Sequence, residues 1–182
     1  MTDDGLTRGR LLAGAAGIAL AGIGIRPARA AESSVPTNAS LETLLRAHDW
    51  LGERPAPRDV RGRVVLVDVF TFDCINCKNI APNLRRLVRT RRAKGLEILG
   101  IHSPETPFER DRREVATHLR ALGVTWPTAI DYSFALWNAY HIEYWPTQLV
   151  FDRHGKLRRV VIGDSQDEEL NATIDALLNE LA

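Results

Sequence analysis

The stretch that most limits the fold is VVLVDVF, Val64 to Phe70, which runs directly into TFDCINCKNIAP, Thr71 to Pro82. An unbroken apolar, β-branched run of this length reads as a strand buried on both faces. Behind it, Ile80, Leu84, Leu87 and Val88 recur at helical spacing, and Gly95 marks the stop. LEILGI, Leu96 to Ile101, is a second buried strand. The three together make a β-α-β unit, and they place Cys74 and Cys77 at its strand-to-helix corner.

The rest of the chain extends this unit. Ser40 to His48 has a short amphipathic pattern, with Leu41, Leu44 and Leu45 on one side, and ERPAPRDVRG reads as a loop. Thr106, Pro107 and Glu109 open a helix with a capping box, Val115, Leu119 and Leu122 face inward, and Gly123 ends it. TAID is a short strand and Ser133 to Tyr140 a short helix. TQLVFD and LRRVVI are strands joined across RHGK. A capping box of Ser165 and Glu168 opens a last helix, which turns Leu170, Ile174, Leu177, Leu178 and Leu181 inward. The order from Val64 is β-α-β-α-(β)-α-β-β-α, an α/β domain.

Cys74 and Cys77 are the only cysteines in the 182 residues. A zinc site needs about four ligands, and the histidines, at 48, 102, 118, 141 and 154, are scattered. A staple closing so short a loop would restrict the unfolded chain little. A redox pair is the reading left. The N-terminus supports it: Arg8 and Arg10 precede an uncharged run, Leu11 to Ile25, and Ala28 and Ala30 make an A-x-A site before Ala31. That is the pattern of a signal peptide over residues 1–30, by a twin-arginine or a general secretory route. Residues 31–40 then form a flexible tether and 41–182 the folded domain. An uncleaved anchor is the competing reading. Export would place the chain in the periplasm or elsewhere outside the cytoplasm, where a disulfide persists. With 24 basic and 23 acidic residues, no charge excess points to nucleic acid.

VVLVDVFTFDCINCKNIAP resembles the active-site strand and helix of thioredoxin, and YWPTQLVFDRHGKL resembles its cis-proline strand and hairpin. Residues from Ser103 to about Trp126 resemble the insertion of exported TlpA/ResA-like redoxins. RGRVVLVDVFTFDCINC, GIHSPETPFE and WNAYHIEYWPTQLVFDRHGKLR are similar to the extracytoplasmic domain of DipZ-type proteins. The resemblance implies a thioredoxin fold, a central mixed sheet flanked by helices, with a TlpA-type insertion between the active-site unit and the cis-proline strand. It also implies a protein thiol–disulfide oxidoreductase without cofactor or metal. Its substrates would be protein disulfides or thiols, and a membrane electron carrier of DipZ or CcdA type would supply it.

Roles follow residue by residue. The helix start favours a thiolate, so Cys74 is the attacking thiol and Cys77 the resolving one. Asp68, six residues before Cys74, matches the buried acid that exchanges a proton with Cys77. Trp145, Pro146 and Thr147 would line the substrate, with a cis bond before Pro146. Trp126-Pro127-Thr128 repeats the motif but lacks the strand and hairpin that follow. Ile75 and Asn76 replace the thioredoxin Gly-Pro, Phe70 stands where relatives have Trp, and Asp73 sets a negative charge against the Cys74 thiolate. His102 ends the second strand, as a surface or hydrogen-bonded histidine or as a group near the site. Two alternatives stand beside exchange. Thr71 and Cys74 form T-x-x-C, the core of a peroxiredoxin signature, so Cys74 could reduce peroxide. A non-catalytic binding module is the other.

Overall fold

The computed structural model describes residues 39–180. The signal-peptide expectation, nearly all of the tether and Leu181 fall outside them. The elements are α1 (Leu41–Leu45), β1 (Trp50–Leu51), α2 (Pro57–Val60), β2 (Val64–Phe70), α3 (Ile75–Arg91), β3 (Leu96–His102), α4 (Arg112–Ala121), β4 (Thr128–Ile130), α5 (Ala135–Ala139), β5 (Thr147–Phe151), β6 (Leu157–Ile162) and α6 (Asp167–Asn179), with 3₁₀ turns at Arg92–Lys94 and Pro107–Arg110.

One six-stranded mixed sheet runs β1-β4-β3-β2-β5-β6. β2 is central: it pairs in parallel with β3, Val64 opposite Leu96, and antiparallel with β5, Asp68 opposite Gln148. All seven β2 residues are buried. Alternation sends them to two faces. Val65, Val67 and Val69 pack with Leu44, Leu136 and Tyr140 of the α1/α5 layer. Val64 and Leu66 pack with Leu84 and Leu87 of α3 and Ile174 of α6. Asp68 falls on the α3 side of that alternation, behind the cysteine corner. A third cluster, Phe70, Phe72, Cys77, Val115, Leu119 and Ile130, lies beneath that corner.

Several elements depart from the sequence reading. The loop before β2 holds a helical turn, Pro57–Val60, with Pro57 in its first turn, and a two-residue strand precedes it. The helix expected to run from Thr106 is broken in two. Thr106 and Glu109 do form a capping box, but they cap only the 3₁₀ turn. Asp111 is extended (φ −80°, ψ 111°), and its carboxylate accepts from the Arg113 and Glu114 amides to start α4 afresh. Leu122 is half-buried rather than inward. Ser165 and Glu168 form no capping box; Gln166 stands at the N-cap without a side-chain bond.

Gly100 shows how tightly β3 is held between its neighbours. A Cβ there would lie 2.6 Å from Thr128 Oγ1 and 3.2 Å from Phe70 Cε1. Gly100→Ala is therefore expected to cost about 1–3 kcal/mol by overpacking. Urea unfolding should show a lower midpoint with an unchanged slope.

Candidate active site

β2 ends in the sheet and the chain turns at Thr71–Asp73 into α3, so the cysteine corner is built by the strand end and the helix start. Cys74 is the N-cap of α3, in extended geometry (φ −68°, ψ 122°). Orphan N–H groups of a first helical turn face this position. Cys74 is half-buried; Cys77, one turn on, is 5% exposed. The two thiols are free and close enough for each to bear on the other's ionisation. Burial pushes the Cys77 thiol well above its ordinary range; the nearby Thr71 main chain pulls the other way, and Cys74 and Asp68 add to the rise.

Asp68 sits deeper, at 4% exposure. Burial raises its carboxyl to about 7, against the opposing hydrogen bond from Gln148. Gln148 Nε2 donates to Asp68 Oδ1 at 3.3 Å, across the β2–β5 pair. Asp68 is close enough to Cys77 for its charge to oppose ionisation of the thiol. Asp68 thus lies close to the buried cysteine, with its carboxyl raised toward neutrality by burial.

The peptide between Trp145 and Pro146 is cis. Pro146 and Thr147 are buried, and Thr147 Oγ1 donates to the Tyr144 carbonyl at 2.7 Å. Trp145 is half-buried and lies against Trp137, ring centroids 4.3 Å apart. Its neighbour Tyr144 is the exposed aromatic of this loop. Ile75 and Asn76 are both exposed between the cysteines.

Asp73 is exposed, as an outward charge should be, but it is not alone. Lys78 Nζ lies 3.0 Å from its carboxylate, one helical turn on. Asp73 and Lys78 thus form an exposed ion pair beside the cysteine corner. Asp73→Asn leaves the Lys78 cation uncompensated and should stabilise the reduced form, raising the potential by about 20 mV for ~1 kcal/mol. Lys78→Gln should lower it. Equilibration with glutathione measures both.

His102 is neither a surface nor a hydrogen-bonded residue. It is 0% exposed, and neither ring nitrogen has a partner among the described residues. Its ring stacks on Phe72 and meets Phe70 edge-on, each at 5.6 Å. Burial lowers its pKa to about 4, against the pull of the nearby Glu109 charge, so the ring is neutral in ordinary buffers. Sequence reasoning missed the reach of Glu109. Its burial among four donors has no local signal beyond a cap at Thr106. The basic stretch of α3 is an ordinary helix face: Arg91 pairs with Asp175 at 2.9 Å, and Arg85 bonds the Leu122 carbonyl. Among the described residues no cluster of three or more His, Cys, Asp or Glu is arranged to hold a metal ion.

Comparison with known proteins gives this corner its relatives. The model of the AhpC/TSA family matches residues 42–160, which takes in both cysteines, Asp68 and Pro146. The chain belongs to the AhpC/TSA family. It is 32% identical over 135 residues to Protein DipZ of Mycobacterium bovis, covering 72% of this chain but only 19% of DipZ. The chain therefore spans about a fifth of the length of the DipZ proteins it matches. Against the thiol–disulfide oxidoreductase ResA of Geobacillus thermodenitrificans it is 24% identical, with 71% of each chain covered. The crystal structure of a thiol–disulfide isomerase from Corynebacterium glutamicum superposes with a TM-score of 0.67 at 25% identity, over 74% of this chain and 94% of that one. The fold of this AhpC/TSA member is thioredoxin-like, and its homologues and structural neighbours include thiol–disulfide oxidoreductases.

Proposed function

We propose that the chain is an exported thiol–disulfide oxidoreductase that works through Cys74 and Cys77 as a reductant of protein disulfides. The observation that carries this reading is the pairing of an accessible thiol at a helix start with a buried one in reach of it and of Asp68. The Cys74 thiolate attacks a substrate disulfide; one sulfur leaves as a thiolate and a mixed disulfide forms. Asp68 takes the Cys77 proton, and the Cys77 thiolate attacks Cys74. The Cys74–Cys77 disulfide forms, and the substrate departs carrying both electrons as a dithiol. Tyr144, Trp145, Pro146 and Thr147 flank the place an extended substrate would occupy. A membrane carrier of DipZ or CcdA type would return two electrons to the pair. The N-terminal segment, read as a signal peptide, would put this chemistry outside the cytoplasm.

Reduction of peroxide is the rival use of Cys74. The Thr71 hydroxyl of T-x-x-C donates to Glu109, not to the sulfur, which weighs against it. The deciding measurement is the equilibrium potential of the pair, taken with turnover on a small disulfide and on hydrogen peroxide. A potential near that of thioredoxin, about −270 mV, supports a reductant; one near about −120 mV makes the protein an oxidant. Turnover of peroxide without disulfide exchange overturns the reading altogether.

A further inference from the structure

Glu109 lies outside the cysteine motif, in the 3₁₀ turn between β3 and α4, and it is 0% exposed. Its two oxygens do different work. Oε2 accepts from the Glu105 and Thr106 amides, both at 2.7 Å, which is the local capping box. Oε1 reaches across 36 to 38 positions of sequence and accepts from the Thr71 hydroxyl and from the Asp73 amide at 3.1 Å. A cap needs only the first pair. The second pair holds the segment that leads into Cys74.

Both donors of that second pair are adjacent to a sulfur. Asp73 immediately precedes Cys74, the N-cap of α3. The Thr71 main chain lies near enough to Cys77 to favour its thiolate against the rise that burial causes. Beside Glu109, Phe108 meets the Phe72 ring edge-on at 5.6 Å, so the turn grips the same three residues by a side-chain contact as well. The carboxylate has four donors around it, and although burial raises its pKa, these bonds bring it below the usual range. It is an ionised anchor that needs no cation.

We propose that Glu109 is a positioning residue for disulfide exchange: by holding Thr71 and Asp73 from the β3–α4 segment, it fixes the main chain against both cysteines and so sets the redox equilibrium of the pair. This rests on the Cys74–Cys77 chemistry proposed above. The sign follows from the influence of the Thr71 main chain on Cys77. A main-chain group that favours the Cys77 thiolate gives more to the reduced state than to the disulfide, which carries no charge to stabilise. Loosening Thr71 should therefore favour the disulfide.

The test is equilibration of the full chain with glutathione for wild type, Thr71→Val, Thr71→Ser and Glu109→Gln. Thr71→Val is nearly isosteric and removes only the hydroxyl tether. It is expected to shift the equilibrium about fivefold to tenfold toward the disulfide, about 20–30 mV downward. Thr71→Ser keeps the donor and should restore most of the wild-type constant. Glu109→Gln turns an NH₂ toward one pair of donors, and should shift the glutathione equilibrium in the same direction as Thr71→Val. A wild-type protein that does not equilibrate as a two-electron couple overturns the proposed function itself. A normal wild-type couple with an unchanged Thr71→Val constant, or with Val and Ser shifted equally, overturns the role of Glu109 alone. A loss of thermal stability in either variant without any change in potential overturns it too, because it reduces Glu109 to a cap.

Discussion

A Cys77→Ser protein, reduced and mixed with a protein disulfide, should accumulate a mixed disulfide through Cys74, while Cys74→Ser should form none and lose turnover to background. The asymmetry follows from position. Cys74 is half-buried at the N-cap of α3, and Cys77 is buried behind it with its thiol held protonated by its surroundings. Only the thiolate attacks, so a partner sulfur meets Cys74 first. Without Cys77 the first covalent complex has no internal thiol to break it, and external thiol must do so slowly. Non-reducing electrophoresis with mass mapping of the linked peptide reads the result. A complex through Cys77 in the Cys74→Ser protein would reverse the two roles. If neither variant is trapped and both still consume peroxide, disulfide exchange is the wrong chemistry.

The cysteine corner was legible because its signals are local. Val64 to Phe70 can hardly be anything but a central strand, and the apolar spacing of Ile80, Leu84 and Leu87 has the period of a helix packed on it. The strand is found over the expected residues, and the helix begins right after Cys74. What the sequence hid is non-local or very short. β1 is two residues long and exists only because Trp50 and Leu51 pair with β4. The break at Asp111 was readable in principle, since D-R-R-E repeats the cap pattern five residues after Thr106, but one periodic run of apolar positions masked it. The Ser165 box looked as good on paper as the Thr106 box, yet only the second forms. Glu109 is the clearest case. Its capping role is written in four consecutive residues, whereas its hold on Thr71 depends on β3 delivering the turn beside the end of β2. His102 was correctly placed at a strand tip; its burial between Phe70 and Phe72 comes from the same parallel register.

Asp68→Asn should stabilise the protein while slowing it. Burial raises the Asp68 carboxyl from 3.8 to about 7. The folded state then holds a proton that the unfolded state has lost between about pH 4 and pH 7, so wild-type stability falls as pH rises through that window. Below pH 4 both states are protonated and the Asp68 charge costs nothing. Above pH 7 the buried carboxylate is ionised and the cost reaches about 4 kcal/mol at 1.36 kcal/mol per unit. An amide of the same shape carries no such cost and can still bond Gln148. The gain for Asp68→Asn should thus be small at pH 4, grow through pH 6 and level off near pH 8, as read by urea unfolding of the reduced proteins. Turnover should change in the other direction. With no group to take the Cys77 proton, release of the substrate from Cys74 should slow by about 10²-fold near neutrality, the lower end of what a positioned base supplies. The initial attack by Cys74 should be less affected, so the mixed disulfide should become the dominant species during turnover. Stabilisation without slowing would make Asp68 a buried acid with no part in the proton transfer. Slowing without the pH-dependent gain in stability would mean that its carboxylate is better solvated than its burial implies.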